Sequence, residues 1–271
     1  MPMNPSKEYT EIMKAYKTSP KQGKINALIL GESGAGKTFL MRTCPKPVLI
    51  DSFDPGGTKG LRPYIEKGDI IADVRWEQED PLKPSVYAKW KRVFQDRRAG
   101  GFFDYIGTYV IDSSTSWGEA IMNGILMKAG IAGQAPRFTH DYVPQKVEMI
   151  NILTECLSLP CHFILLGHHE IKDDVNENGK AVMRFRFLTT GKAMITIPLK
   201  FDEIYTLTSK QTSAGITRSL ITVNDGVHQA RSRMAGNGLL APLEEPDITK
   251  LLKKAGLSYE DLPLLQAEEE E

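Results

Sequence analysis

Apolar and polar positions follow two patterns along this chain. Short apolar runs end on a turn residue, a carboxylate or a histidine. Ile25-Asn26-Ala27-Leu28-Ile29-Leu30 stops at Gly31, Val48-Leu49-Ile50 at Asp51, Tyr109-Val110-Ile111 at Asp112, and the run 161–166 at Gly167-His168-His169-Glu170. Runs this short, apolar on both faces, predict buried parallel strands, with 70–74 as a further candidate. Between them the apolar period lengthens. Val86, Trp90, Val93 and Phe94 predict a helix over 84–98. Trp117, Ile121 and Ile125 predict one over 116–128, and Val147, Ile150, Leu153 and Leu157 one over 143–157. A short helix over 38–42 stops at Cys44-Pro45, and 130–142 reads as a loop.

Past residue 170 the pattern shortens to β-like runs. Asn178-Gly179 is a favoured hairpin dipeptide between 172–175 and 181–187, and antiparallel edge strands are expected through 223. Asp247 caps a short helix ending at Lys254, and Glu268 to Glu271 form an acidic end. The alternation of strand and helix predicts an α/β fold: a three-layer αβα core, mainly parallel sheet, with antiparallel C-terminal edge strands and hairpins. The division expected is a flexible N-terminal arm over 1–20, carrying Pro2, Pro5 and Pro20, a core over 21–235, and a C-terminal helix and acidic tail over 236–271.

Charge narrows the function. Lys plus Arg and Asp plus Glu each number 34 in 271 residues, so bulk positive charge does not drive any nucleic-acid binding; a local basic groove stays open. Residues 1–19 are polar with no apolar signal core, no run is long enough to span a bilayer, and a cytoplasmic protein without membrane partners is expected. The three cysteines, Cys44, Cys156 and Cys161, form no C-x-x-C pair and read as buried thiols.

Gly31-Glu32-Ser33-Gly34-Ala35-Gly36-Lys37-Thr38 matches G-x-x-x-x-G-K-[ST] between an apolar strand and a helix. Glycines in that setting let backbone N–H groups wrap phosphate oxygens. Lys37 would reach the β- and γ-phosphates, and the Thr38 hydroxyl would ligate Mg²⁺. A magnesium nucleotide is expected, ATP rather than GTP, since no Asn-Lys-x-Asp base-reading motif occurs. Asp112 is the expected partner of the metal; Asp51 ends a strand in the same way, but Ser113-Ser114-Thr115 follow Asp112 and could orient its water shell. For the attacking water Asp54 is the first candidate, ahead of Glu32 and Glu119, and it reads equally as a turn residue before Pro55-Gly56-Gly57. His168, just past a buried strand, is placed to sense the γ-phosphate or to satisfy the fold. Arg231 and Arg233 are candidate cations for the nucleotide, in cis or across a subunit interface, or exposed loop charges.

The ordered set of the 24–38 segment, Tyr109-Val110-Ile111-Asp112-Ser113, the 163–170 segment, Thr190-Gly191-Lys192 and Phe201-Asp202-Glu203 resembles the RecA-like ATPases of bacteriophages, most closely the short recombinases of single-strand annealing. The resemblance spans about residues 20–235, and only the phosphate loop is highly specific. It implies Mg²⁺-dependent ATP hydrolysis, single-stranded DNA binding, annealing or strand pairing, homo-oligomers, and work beside a single-strand-binding protein in the host cytoplasm. It assigns Asp112 to the metal and His168 to γ-phosphate sensing. Phe53 stands where RecA itself has a glutamate for water activation, so slow hydrolysis is compatible with this sequence. DNA is expected at 130–145 and 172–192. In the second segment Lys172, Lys180, Arg184, Arg186 and Lys192 would meet phosphates, and Phe185 and Phe187 would stack on bases. The same alternation also describes an ordinary amphipathic hairpin. A nucleotide-dependent switch with slow hydrolysis and a helicase- or packaging-like motor are the other readings.

Overall fold

A computed structural model describes residues 4–175, 179, 181–189, 193–213 and 215–266, except for the side chains at 20 and 21. The helices are α1 (Pro5–Thr18), α2 (Lys37–Leu40), α3 (Arg62–Ile65), α4 (Val86–Ala99), α5 (Ser114–Lys128), α6 (Phe138–Cys156), α7 (Ala193–Thr196) and α8 (Ile248–Ala255). The strands are β1 (Asn26–Gly31), β2 (Val48–Ser52), β3 (Ile70–Asp73), β4 (Thr108–Asp112), β5 (His162–Val175), β6 (Ala181–Phe187), β7 (Glu203–Thr212), β8 (Gly215–Ile221) and β9 (Leu243–Glu244).

One sheet runs β3-β2-β4-β5-β1-β7-β8-β9, with β6 paired to β5 off that path. From β3 to β7 neighbours are parallel; β8, β9 and β6 are antiparallel. The expected α/β architecture therefore stands, with its antiparallel strands at one edge and on an outer ribbon. Strand residues alternate between two cores, as their period of two requires. Leu28, Leu30, Leu49, Tyr109, Ile111, Phe163 and Leu165 face Trp90, Phe94, Trp117, Ile121 and Leu153 of α4, α5 and α6. Ala27, Ile29, Val48, Ile50, Val110, Ile164 and Leu166 face Leu40, Ile65 and the apolar side of α8. The sheet is covered on both sides, which makes three layers.

Three expectations change. The N-terminal segment is a helix, not a loose arm: the Asn4 side chain accepts from Ser6 N and Lys7 N, and Pro5 fixes the first turn. It buries no residue, and Tyr9, Ile12 and Tyr16 stand exposed. α6 begins at Phe138, inside the expected loop. Asp141 accepts from Arg137 N at 2.6 Å, organising a first turn ahead of Pro144. The C-terminal helix, capped by Asp247 as expected, belongs to the core: Ile248, Leu251 and Leu252 are buried.

β5 is longer than the apolar run predicted. Residues 163–168 pair parallel to β1, and 169–175 pair antiparallel to β6. At its start, buried His162 accepts from Ile25 N through Nδ1 at 3.1 Å, tying β5 to the entry of β1. Burial, with Lys24 adding, lowers the His162 pKa to about 4. A histidine depressed in the fold binds its proton more readily when unfolded. Its contribution is therefore full above about 6.5 and is lost as pH falls towards 4. Between pH 7 and pH 5 this residue alone should remove about 2 kcal/mol of stability. Urea unfolding of His162→Asn at both pH values should show a correspondingly smaller drop; an unchanged drop would refute the assignment.

Candidate functional site

β1 carries Gly31 to the carboxyl edge of the sheet between β5 and β7, and the chain turns back through 32–36 into α2. Gly34 (φ 80°) and Gly36 (φ 100°) hold left-handed conformations that a side chain would strain. At Gly36 an added Cβ would also lie 2.9 Å from Arg218 Nε. This winding forms a nest for an anion. Because α2 has only four residues, the nest and Lys37, rather than a long helix dipole, supply the positive field.

Lys37 is buried, and its Nζ donates to the carbonyls of Gly31 at 2.9 Å and Glu32 at 3.0 Å. Burial lowers its pKa, against the pull of Asp112 and Asp54. Its ammonium thus lies across the loop on weak backbone acceptors, which phosphate oxygens would outcompete.

Next to it, the Thr38 hydroxyl donates to Asp112 Oδ2 at 2.6 Å. Burial pushes the Asp112 carboxyl up to about 6; the Thr38 bond opposes this, while the charges of Asp54 and Glu77 add to it. A hydroxyl and a buried carboxylate in contact are hard oxygen donors that fit Mg²⁺, which keeps several waters and takes phosphate oxygens. Thr38 and Asp112 would hold that ion, and the ion would neutralise charge on the phosphates.

Strand parity separates the two aspartates. In β4, Val110 faces the α2–α8 core, so Asp112 faces that side, where Thr38 lies. In β2, Asp51 falls on the opposite face. Its buried carboxylate accepts from Trp90 Nε1 and Tyr109 OH, both at 2.7 Å, and pairs with Arg97 at 2.9 Å. Asp51 is therefore a core group.

Phe53 packs edge-on against Trp90, with ring centroids 5.7 Å apart, and turns away from the loop. Asp54 is the residue that meets the site. Its Oδ1 accepts from Ser113 Oγ at 3.0 Å and from Ser116 Oγ, and its N–H donates to Asp112 O at 3.3 Å. Two hydroxyls thus hold it in place beside Asp112, at the edge of the site. The other two carboxylates proposed for the water fare differently: Glu32 is exposed within the loop itself, and Glu119 is exposed on α5.

His168 aligns with Gly31 across β5 and β1, and its Nδ1 lies 3.3 Å from Thr115 Oγ1. Burial lowers its pKa and Lys37 lowers it further, which places it within the field of the loop. His169 faces the other way, 3.3 Å from Thr206 Oγ1, as the strand alternation required.

The arginines expected at the nucleotide are elsewhere. The Arg231 backbone pairs with Ile204, and its Nη2 donates to the carbonyls of Phe201 at 2.7 Å and Pro198 at 3.2 Å. Arg233 is exposed, and its N–H donates to Glu203 at 3.0 Å. Glu203 aligns with Ala27, at the end of β1 away from the loop, so neither arginine lies at the phosphate loop of its own chain.

Of the expected DNA contacts, Lys172, Arg184 and Arg186 share one face of the β5–β6 ribbon; Lys180 and Lys192 lie outside the described residues. Arg184 pairs with Asp174 at 3.1 Å, Arg186 reaches the same carboxylate at 3.9 Å, and Lys172 meets Glu170 at 3.4 Å. Phe185 stacks on His228, with centroids 5.0 Å apart, and Phe187 is buried, so neither is a free stacking platform. The other expected segment, 130–145, is half helix.

Two residues at the site were not foreseen. Arg218 of β8 donates through Nε to Ala35 O at 2.9 Å, bracing the loop from 183 positions away. Glu77 accepts from Ser52 Oγ at 2.8 Å and Gly56 N at 2.9 Å, fixing the segment that carries Asp54. No local pattern marks either residue. The three cysteines are buried and unpaired, and among the described residues no helix is long and apolar enough to cross a membrane.

A family model described as AAA domain matches residues 23–234. No curated protein matches the chain. Among solved structures, a KaiC-like protein of the hyperthermophilic archaeon Pyrococcus horikoshii is 13% identical over 73% of this chain and 78% of that one, with a TM-score of 0.39. That likeness is too loose to carry an argument about the site.

Proposed function

This chain belongs to the AAA domain family and is a P-loop ATPase, and from that premise we propose that it hydrolyses Mg²⁺-ATP in work on single-stranded DNA, as an annealing or strand-pairing protein of phage recombination or replication. In this reading Lys37 and the 31–38 backbone hold the phosphates and Thr38 with Asp112 holds the ion. Asp54 orients the water, and His168 senses the γ-phosphate. The observation that supports a DNA role is the course of β5. A single strand begins in the core, passes His168 beside the loop and ends in the ribbon bearing Lys172, Arg184 and Arg186. A change at the phosphate would move a rigid element that also positions these three cations. Second copies of the chain and a single-strand-binding protein are the partners this role implies, in the cytoplasm of a host cell.

A second reading is favoured by the ion pairs on the ribbon. With Asp174 and Glu170 answering its cations, the face is close to neutral, which suits a nucleotide-dependent switch that hydrolyses slowly. ATPase rate with and without single-stranded DNA separates the two. Several-fold stimulation, reduced in Arg184→Ala/Arg186→Ala together with the salt dependence of DNA retention, is expected. Tight ATP binding with neither stimulation nor DNA retention would favour the switch.

A further inference from the structure

Two arginines beside the phosphate loop have no carboxylate partner. Arg42 Nε is buried without a hydrogen-bond partner, and its guanidinium carbon lies 4.4 Å from the centre of the Phe39 ring. Arg218 spends its Nε on Ala35 O, and among the described residues neither arginine has an ion pair. Between them opens a crevice of about 140 Å³ that reaches Gly36 and is lined by Phe39, Arg42, Leu207, Ile216, Arg218 and Pro246. A desolvated guanidinium N–H without a partner, as at Arg42 Nε, is costly, and it marks this arginine as one not satisfied by the fold itself.

The sheet order gives the crevice its direction. β1 lies between β5 and β7, and the γ-phosphate end of the site, marked by His168, is on the β5 side. A triphosphate wrapped by the loop therefore sends its other end past Gly36 and Phe39, towards the β7–β8 hairpin, where the crevice lies. A guanidinium stacked on one aromatic ring can take another plane on its second face, and Arg42 lines the crevice where such a plane would lie.

We infer that this crevice receives the base and ribose of the nucleotide, with Arg42, backed by Phe39, as the stacking residue and Ile216 as the apolar wall. The inference rests on nucleotide binding at the loop and adds which residues grip the nucleoside. It also separates the crevice from its neighbour across the loop, which is lined by Glu32, His169, Phe185 and His228.

Calorimetric titration of the full chain with ATP and with inorganic tripolyphosphate, each with Mg²⁺, tests it. Arg42→Ala should weaken ATP about tenfold and leave tripolyphosphate unchanged. Arg42→Lys, which keeps the charge and loses the plane, should resemble Arg42→Ala, and Ile216→Ala should follow in the same direction. Equal weakening of both ligands would make Arg42 a phosphate cation and overturn the inference, as would unchanged ATP affinity. Loss of ATP preference in Phe185→Ala instead would move the nucleoside to the other crevice. A parent chain that binds neither ligand would defeat the nucleotide reading itself, and the inference with it.

Discussion

Lys37→Ala should lower ATP hydrolysis by about 100- to 1000-fold, the usual effect of removing one preorganised cation from a charge-developing site. The fold should persist. Lys37 is buried with its pKa lowered, so its charge is not what stabilises the loop, and its bonds go to two backbone carbonyls. Thermal unfolding gives an independent measurement. ATP with Mg²⁺ at 100 times its dissociation constant should stabilise the parent chain by about 2.7 kcal/mol. The variant should show almost none of that shift while unfolding near the parent's temperature without nucleotide. Parent-like turnover in the variant would remove the loop from the centre of the mechanism.

Asp112→Asn should move stability and activity in opposite directions. A carboxylate whose folded pKa is raised to about 6 is destabilised as an anion by the fold. That penalty is fully present above pH 6 and fades as pH falls towards the unfolded value near 4. Removing the charge should therefore raise stability at pH 7 to 8 by about 1–3 kcal/mol and add little near pH 4. The amide still offers Thr38 an acceptor. Activity should drop about 100-fold or more, because the amide is a poor ligand for the ion that would offset phosphate charge. Denaturant melts at two pH values, run beside ATPase assays across a magnesium series, measure both effects. A variant that is less stable at neutral pH would mean that Asp112 is a structural acceptor first.

What the sequence revealed about this site followed from strand ends. The runs 25–30, 109–111 and 161–166 pointed to Gly31, Asp112 and His168 because a parallel strand delivers its next residues to one edge of the sheet. Parity also lay in the sequence: Val110 and Asp112 share a face, and so do Leu166 and His168. Choosing Asp112 over Asp51 could have rested on parity, had the face bearing the loop helix been known. Contacts across long separations were not legible. Arg218 sits in Gly215–Ile221, a segment whose alternation says only that it is a strand, and its contact with Ala35 exists because β7 places the hairpin beside β1. Arg231 shows the converse. Its composition suggested an anion partner, yet the backbone pairing to Ile204 directs its guanidinium to carbonyls at the opposite end of the strands. The N-terminal helix was hidden by its prolines, one of which, Pro5, starts it.

The division of β5 has an evolutionary consequence. Residues 162–167 are enclosed on both faces, so almost any change there disturbs packing; from Ile171 to Val175 every residue is exposed. The outer half can lengthen, shorten or exchange its side chains with little effect on the interior. One continuous strand thus joins a segment that packing constrains to one that it does not, so substitutions could alter what the ribbon grips while leaving the phosphate loop unchanged.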